Sequence, residues 1–130
     1  MSYKYIIDSY AWVEYFKGSK QGEMAKEFIE SKNSATSVIT IAELSEKYER
    51  EAKKFDEDLR FIISQTKIIA LNIELALFAG KINNENKKKI KNWGMADSII
   101  LATAKMNKIS VVTGDEHFRN LNSIMLDTKT

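Results

Sequence analysis

Four carboxylates lie where a predicted strand has just ended or where a predicted helix begins. Asp8 follows the first predicted strand, and Asp115 follows the fourth after a turn of two residues. Glu43 lies in the first turns of the helix after the second strand, and Asp97 lies near the start of an otherwise apolar helix. In a parallel sheet, ligands bind beyond the carboxyl ends of the strands, where the following helices begin. We therefore expect these four side chains to converge at that edge.

The chemistry of such a cluster is that of a site for divalent cations. Carboxylates within a few ångströms repel one another, and the pKa of each rises unless a cation compensates. Ligand sets made of oxygen atoms favour a hard cation, so we predict Mg²⁺, with Mn²⁺ as a substitute. An ion of this kind lowers the pKa of a bound water and offsets negative charge on a phosphodiester. The four acids therefore indicate a hydrolytic centre.

Each of the four acids also has an ordinary structural explanation. An Asp directly before a helix is usually an N-cap, which would account for Asp8 and Asp115. Glu43 could be a solvated residue like the glutamates further along its helix. Asp97 would be favoured near the start of its helix by the helix dipole alone. The functional interpretation therefore depends on all four acids lying at one edge of the sheet.

The composition is that of a single globular domain. The chain has 130 residues, 44% of them hydrophobic and 29% charged, so we predict one domain over residues 1–130. It contains no Cys, which excludes disulfides, zinc–thiolate sites and a thiol nucleophile, and fits a reducing cytoplasm. The net charge of +2 is too small to indicate nucleic-acid binding by itself. We expect no signal peptide and no membrane segment, since the most apolar run, Ile68 to Ala79, is too short to cross a bilayer.

Strands and helices alternate along the predicted chain. Runs rich in strand-forming residues predict five strands, the last of them weak, at Tyr3–Ile7, Ser34–Thr36, Ile68–Leu71, Ile109–Val112 and Ser123–Leu126. Apolar residues at helical spacing predict the intervening helices, among them Ser9–Phe16, a helix capped by Ser37, Ile73–Gly80 and Met95–Ala104. We expect Asn83 to Asn92 to be a loop or a solvated helix end. This alternation implies an α/β fold with helices on both faces of a mostly parallel central sheet of four to five strands.

Several of these segments together resemble a known family. They are Ile6-Ile7-Asp8-Ser9, Thr40-Ile41-Ala42-Glu43-Leu44, the helix from Met95 to Ala104, and Val111-Val112-Thr113-Gly114-Asp115-Glu116-His117-Phe118. On these segments the chain resembles a PIN domain along nearly its whole length, and it is most similar to the VapC-type toxins of prokaryotic toxin–antitoxin pairs. The resemblance implies a three-layer α/β/α PIN-like fold and an endoribonuclease that cleaves RNA at a Mg²⁺-loaded acidic site. It also implies a small antitoxin that blocks the active site, and a homodimer.

The resemblance also assigns roles to individual residues. The metal-binding set becomes Asp8, Glu43, Asp97 and Asp115. Thr113 becomes a polar residue that helps to place water or metal, and Ser9 is a second candidate for that role. Some members of the family have another acid two positions after the last one, and here that position is His117. We interpret His117, the only His in the chain, as a surface or helix-start residue rather than a general base.

Two further features concern binding. Lys87–Lys91 is lysine-rich; such a run is usually solvated, but beside an acidic site it could hold RNA phosphates. An antitoxin should deliver a basic side chain such as Arg into the acidic pocket, and lay an apolar segment in a groove between helices. The N-terminal half offers aromatic anchors for that segment, although the small core needs several of them, at Trp12, Tyr15, Phe16, Phe28 and Tyr48. We expect Trp12 and Trp93 to be packing residues.

Other classes of protein fit the sequence less well. A PIN nuclease of RNA processing would have the same site, and only a neighbouring antitoxin gene would distinguish the toxin from it. A phosphoryl-accepting receiver module would need paired acids after the first strand, but Asp8 is followed by Ser9 and Tyr10. A phosphatase of the haloacid-dehalogenase type would need an Asp at the position of Tyr10. A nicotinamide-binding enzyme would need a glycine-rich turn after the first strand, which is absent.

Overall fold

The computed structural model describes residues 3–128 and contains one five-stranded sheet. Its strands are β1 (Tyr5–Ile7), β2 (Ser34–Ser37), β3 (Lys67–Ile69), β4 (Ser110–Thr113) and β5 (Ser123–Met125). The strand order is β3-β2-β1-β4-β5, and every neighbouring pair is parallel. The predicted α/β class is confirmed, and the sheet is entirely parallel rather than mostly so.

Six α-helices and one short 3₁₀ helix surround the sheet in the described part of the chain. They are α1 (Ser9–Lys17), α2 (Lys20–Ile29), α3 (Val38–Arg50), α4 (Asp56–Gln65), α5 (Ile73–Asn86), α6 (Met95–Asn107) and the 3₁₀ turn Glu116–Phe118. Polar residues define several of their starts: the side chains of Ser19, Ser37 and Asn72 accept hydrogen bonds from the first turns of α2, α3 and α5. None of the described helices is long and apolar enough to cross a membrane.

Alternate residues of the central strand face opposite layers of the protein. Ile6 lies in a core formed mainly with α5 and α6, where Leu75 and Ile100 are buried. Ile7 lies in a second core with α1 to α4, which includes Trp12 and Ile62. The period of two along a strand therefore separates the helices into two layers, and the predicted three-layer α/β/α architecture is confirmed.

The strand order determines where a ligand site can form. From β1 the chain crosses to β2 and then β3 on one side, while β4 and β5 lie on the other side. The order therefore reverses between β1 and β4, which is where open parallel sheets bind ligands. Ile7 is in register with Val112. Asp8, the residue after β1, therefore lies beside Thr113, the last residue of β4. The backbone N–H of Asp8 donates to the Val112 carbonyl at 3.4 Å, which keeps the two chain segments together beyond the strands.

All five predicted strands are observed with bounds shifted by one or two residues, and two of them differ most. The first begins at Tyr5 rather than at Tyr3. The third was predicted as a buried strand over Ile68–Leu71, but β3 is an edge strand over Lys67–Ile69, and Leu71 is 42% exposed. An edge strand has a neighbour on one side only, so its apolar residues are half-buried although their sequence resembles that of a central strand.

The helix that precedes Asp97 is longer than its apolar pattern indicates. We predicted a helix over Ile73–Gly80, but α5 continues to Asn86. Ile82 and Asn86 are buried, and the Asn83 side chain accepts a hydrogen bond from Ser98 on α6 at 3.0 Å. Packing between α5 and α6 therefore stabilises two further turns of polar sequence that periodicity alone does not indicate as helical.

Both tryptophans are packing residues, as expected. Trp12 is completely buried, and its Nε1–H donates to the Thr36 hydroxyl at 3.2 Å. Trp93 is 6% exposed, and its Nε1–H donates to the Ser98 hydroxyl at 2.7 Å. Each indole thus satisfies its one donor inside the core, which is the usual condition for burying a tryptophan.

Candidate metal centre

Asp8 lies at the centre of the predicted site, between β1 and α1. It is 5% exposed, and its Oδ1 accepts the backbone N–H of Ala11 at 2.9 Å, so it is the N-cap of α1. Burial raises the pKa of the Asp8 carboxyl to about 7, although hydrogen bonds from Thr113 and Ala11 act in the opposite direction. Asp8 is therefore an N-cap, as its ordinary explanation predicts. That role does not account for the burial of its carboxylate.

Thr113 connects Asp8 to Asp115. Its side chain is completely buried at the end of β4 and hydrogen-bonds the Asp8 carboxylate. The same hydroxyl accepts the backbone N–H of Asp115 at 2.9 Å. Gly114 leaves room for the ring of Tyr10, which a Cβ at that position would overlap. The Thr-Gly-Asp sequence is thus a turn that brings a second carboxylate beside Asp8.

Glu43 reaches the same place from the second turn of α3. Its Oε1 accepts the Ser9 hydroxyl at 3.2 Å, and Ser9 is the first residue of α1. Burial raises the pKa of the Glu43 carboxyl, and the charges of Asp97 and Asp115 raise it further. Glu43 is therefore not simply one of the solvated glutamates of its helix.

Asp97 enters the site from the first turn of α6. Its Oδ2 accepts the backbone N–H of Gly94 at 3.0 Å, which caps the helix. Burial raises the pKa of the Asp97 carboxyl, whereas the Gly94 hydrogen bond and the nearby His117 act in the opposite direction, and the charge of Asp115 raises it further. The side chain remains partly exposed at 22%, so it can still reach a ligand from solvent.

The pKa values of Asp8, Glu43 and Asp97 are each raised by the charge of at least one other acid of the site. The charges of Asp115 and Glu43 raise the pKa of Asp8, although burial has the larger effect. The charge of Asp115 likewise acts on Glu43 and Asp97. The structure thus brings together four residues that lie up to 107 positions apart in the sequence. A cation bound among these carboxylates would relieve both their repulsion and the cost of burying them.

His117 also lies beside these acids, and the direction of its ring was not predicted. It does lie in a helix start, the 3₁₀ turn after Asp115, and its backbone N–H donates to Asp115 Oδ1 at 2.9 Å. However, its ring is turned toward the acids: Nδ1 lies 3.3 Å from Asp97 Oδ2 and 3.5 Å from Asp115 Oδ1. Its spacing of two residues from Asp115 was the only sequence signal for this placement.

The donor set of this site fits a divalent cation. Asp97, Asp115 and His117 each offer a ligand atom, and these atoms lie within 4.8 Å of one another. Asp8 and Glu43 add negative charge from the adjoining strand end and helix. Carboxylates that are partly buried and electrostatically coupled are the environment in which Mg²⁺ or Mn²⁺ binds. The arrangement can therefore hold a metal that activates water or stabilises charge on a phosphate.

A groove leads away from the acids between α1 and α3. Its end nearest the site, a cavity of about 350 Å³, is lined by residues that include Ser9, Glu43 and Asp115. A second cavity of about 530 Å³ continues it toward α4, and Val13 and Lys47 line both. The distant part also contains Phe16 and Tyr48 together with the lysines Lys17, Lys53 and Lys54. A partner segment could thus run along the helices and end in the acidic site.

The lysine-rich segment lies beside the acidic edge. Lys87, Lys88, Lys89 and Lys91 are exposed, whereas Ile90 packs against the core. The segment joins the end of α5 to the start of α6, where Asp97 lies. Ile90 thus anchors a short turn of exposed lysines that directly precedes the helix carrying Asp97.

The chain belongs to the PIN domain family, whose model matches residues 5–123. This match covers β1 to β4, the first residue of β5 and each of the four acids. Among curated proteins, none matches the chain significantly.

Solved structures show the same fold. A toxin-antitoxin complex from Klebsiella pneumoniae matches with a TM-score of 0.76 at 20% identity, covering 97% of this chain and 100% of that chain. VapBC2 from Rickettsia felis, bound to a DNA fragment from its promoter, matches with a TM-score of 0.73 at 23% identity, covering 93% and 96%. DNA-bound VapBC from Salmonella typhimurium matches with a TM-score of 0.74 at 18% identity, covering 96% and 99%. At these identities the similarity demonstrates a common fold.

Proposed function

We propose that this protein is a metal-dependent endoribonuclease, the toxin of a type II toxin–antitoxin pair. The observation that carries the proposal is the convergence of Asp8, Glu43, Asp97 and Asp115 at the strand-order reversal of a PIN domain. The similar structures named as VapBC or as a toxin-antitoxin complex support the toxin assignment. An RNA-degrading toxin of this kind would act in the cytoplasm.

In the proposed mechanism, each side chain has a distinct task. Asp8, Glu43, Asp97 and Asp115 hold Mg²⁺, or Mn²⁺ as a substitute, which when bound supplies an activated water and offsets charge on the phosphodiester. The Thr113 hydroxyl orients Asp8 and the Asp115 turn. Ser9 orients Glu43 through its hydrogen bond. Because Thr113 is completely buried, its task is to position the acids rather than to contact RNA.

The proposal is tested by incubating partner-free protein with total RNA in Mg²⁺, in Mn²⁺ and in EDTA. We expect internal cleavage of one or more RNA species with either metal, and none in EDTA. Single-stranded DNA of matched sequence serves as the control for RNA specificity. Cleavage that persists in EDTA, or intact RNA after incubation with folded and metal-loaded protein, would rule out the proposed activity.

The lysine-rich segment should hold RNA by charge. Lys88→Ala combined with Lys89→Ala should weaken RNA binding without changing the cleavage rate of saturated enzyme. Each phosphate contact on a single strand contributes about 0.7 to the slope of log affinity against log salt, so losing two should reduce it by about 1.4. Lys26→Ala with Lys105→Ala is a matched control, because these exposed lysines end helices that lead to the opposite edge of the sheet. Equal salt slopes for the two double variants would remove the segment from the RNA site.

The groove between α1 and α3 is the proposed seat of the antitoxin. Tyr48 and Phe16 line it, and Val13 adds apolar surface. Trp12 is not available as an anchor because it is completely buried, and Phe28 packs edge-to-face on Tyr5 at 4.9 Å. An apolar segment lying here can place an Arg among the acids, where a forked guanidinium pairs with carboxylates.

Expression of the wild type alone should stop growth, and co-expression of a small adjacent gene should restore it, with both products copurifying. Asp97→Asn should be harmless when expressed alone, yet it should still copurify with the partner because the groove is unchanged. Harmless expression of an active, folded wild type would defeat the toxin assignment and favour an RNA-processing nuclease.

Self-association is also proposed. Ile73 and Leu77, one turn apart on α5, are 81% and 67% exposed, and Leu71 adjoins them. An apolar surface of this kind suits a homodimer contact. Light scattering of the purified wild type and of Leu77→Glu would measure it, and a monomeric wild type would contradict the proposal.

A further inference from the structure

His117 has the geometry of a metal ligand within the acidic site. Its Nδ1 lies 3.3 Å from Asp97 Oδ2 and 3.5 Å from Asp115 Oδ1. Two ligands at right angles on an ion with bonds of about 2.1 Å are about 3.0 Å apart. Nδ1 is therefore spaced from each carboxylate oxygen nearly as one ligand of a six-coordinate ion is from its neighbour, and small side-chain shifts would close the remaining difference.

Within the described residues, His117 Nδ1 lies beside the Asp97 and Asp115 carboxylates. It is inaccessible to solvent and forms no hydrogen bond of acceptable geometry, although its proximity lowers the pKa of the Asp97 carboxyl. The ring is held in place from two sides: the His117 backbone N–H donates to Asp115, and Trp93 packs beside the imidazole with ring centroids 6.2 Å apart. A buried nitrogen without a hydrogen bond is costly unless something else occupies it. A cation between His117, Asp97 and Asp115 would satisfy it.

We propose that His117 coordinates the metal through Nδ1 and makes this site prefer Mn²⁺ to Mg²⁺. The inference rests on the proposed nuclease site and specifies which ion it takes. Mg²⁺ strongly favours oxygen ligands, whereas an imidazole nitrogen favours transition metals. One nitrogen in place of an oxygen thus changes the metal preference while leaving the four acids in their roles.

The competing explanation is an internal ion pair, in which a protonated His117 neutralises Asp97 and Asp115 and takes the place of a metal. The two explanations predict opposite results. Removing a ligand lowers Mn²⁺ affinity more than Mg²⁺ affinity. Removing an internal cation raises the affinity for both metals, because the ion no longer competes with a positive charge.

Pulsed EPR on bound Mn²⁺ tests the proposal directly, without any RNA. His117 is the only histidine of the chain, so imidazole-nitrogen coupling in untagged protein can come from no other residue. We expect this coupling in the wild type and its loss in His117→Asp, which keeps a ligand at the position. Titration should show the ratio of Mn²⁺ to Mg²⁺ affinity falling at least about tenfold in His117→Asp, since even indirect partners of a metal contribute that much.

Three results would overturn the assignment: Mn²⁺ bound without nitrogen coupling, coupling that survives in His117→Asp, or no Mn²⁺ binding. The outcome is separate from that of the RNA assay. A wild type that cleaves RNA without nitrogen coupling keeps the nuclease function and loses the His117 ligand. A wild type that shows the coupling but cleaves no RNA keeps the ligand and loses the function.

Discussion

Asp97→Asn should reduce RNA cleavage by at least about a hundredfold while the protein remains folded. The substitution removes one charged oxygen ligand from the centre and changes the shape of the side chain very little. An Asn oxygen can still accept the Gly94 N–H, so the cap of α6 is retained. Burial raises the pKa of the Asp97 carboxyl, which means that the charge is held at a cost to the fold. Its removal should therefore leave thermal stability without metal equal to that of the wild type or higher.

Cleavage of a labelled RNA under single-turnover conditions measures the chemical step, and circular dichroism reports the fold. Asp56→Asn is the matched control, because it makes the same change in the first turn of α4, at an exposed residue outside the acidic cluster. It should cleave RNA at the wild-type rate. A folded Asp97→Asn protein with a rate within a few-fold of the control would exclude Asp97 from the centre.

Asp8→Asn should weaken the dependence of stability on pH and on metal. The pKa of Asp8 is about 7 in the folded protein and 3.8 in a model peptide, because burial disfavours the charged form. The folded state therefore holds this proton more tightly, and the resulting stability is fully present below pH 3.8 and lost as pH rises through 7. Between pH 5 and 8 the metal-free wild type should lose on the order of 2–3 kcal/mol of unfolding free energy through this group.

An Asn at position 8 has no charge to bury but can still cap α1. The metal-free variant should thus be the more stable protein at pH 8, and its stability should change less between pH 5 and 8. Millimolar Mn²⁺ should raise the unfolding temperature of the wild type at pH 8, since binding at about 100 times the dissociation constant contributes about 2.7 kcal/mol. The variant should respond weakly.

Urea unfolding at several pH values, with EDTA or Mn²⁺, gives these free energies. Asp56→Asn is again the control, and it should follow the wild type in every condition. If Asp8→Asn shows the wild-type pH profile and the wild-type shift with Mn²⁺, then Asp8 is neither a strained buried carboxylate nor a metal ligand.

The order of strands and helices could be predicted from local patterns in the sequence, and so could the acids that follow the first and fourth strands. Local patterns carry this information: strand-forming runs before Asp8 and Asp115, a capping Ser37 before α3, and an apolar helix interrupted by Asp97. The general rule for parallel sheets then predicted that these acids meet at one edge. That prediction required no knowledge of which strands are neighbours.

How close the acids come, and which other residues lie beside them, depends on contacts between distant parts of the chain. The pairing of β1 with β4 places Asp8 against Thr113, and residues more than 100 positions apart cannot report this contact in any local pattern. The edge position of β3 and the extra turns of α5 also depend on neighbours across space. His117 illustrates the limit most clearly. Its place in a helix start follows from Asp115, but the direction of its ring is determined by packing beside Trp93 and by the approach of Asp97 from another helix.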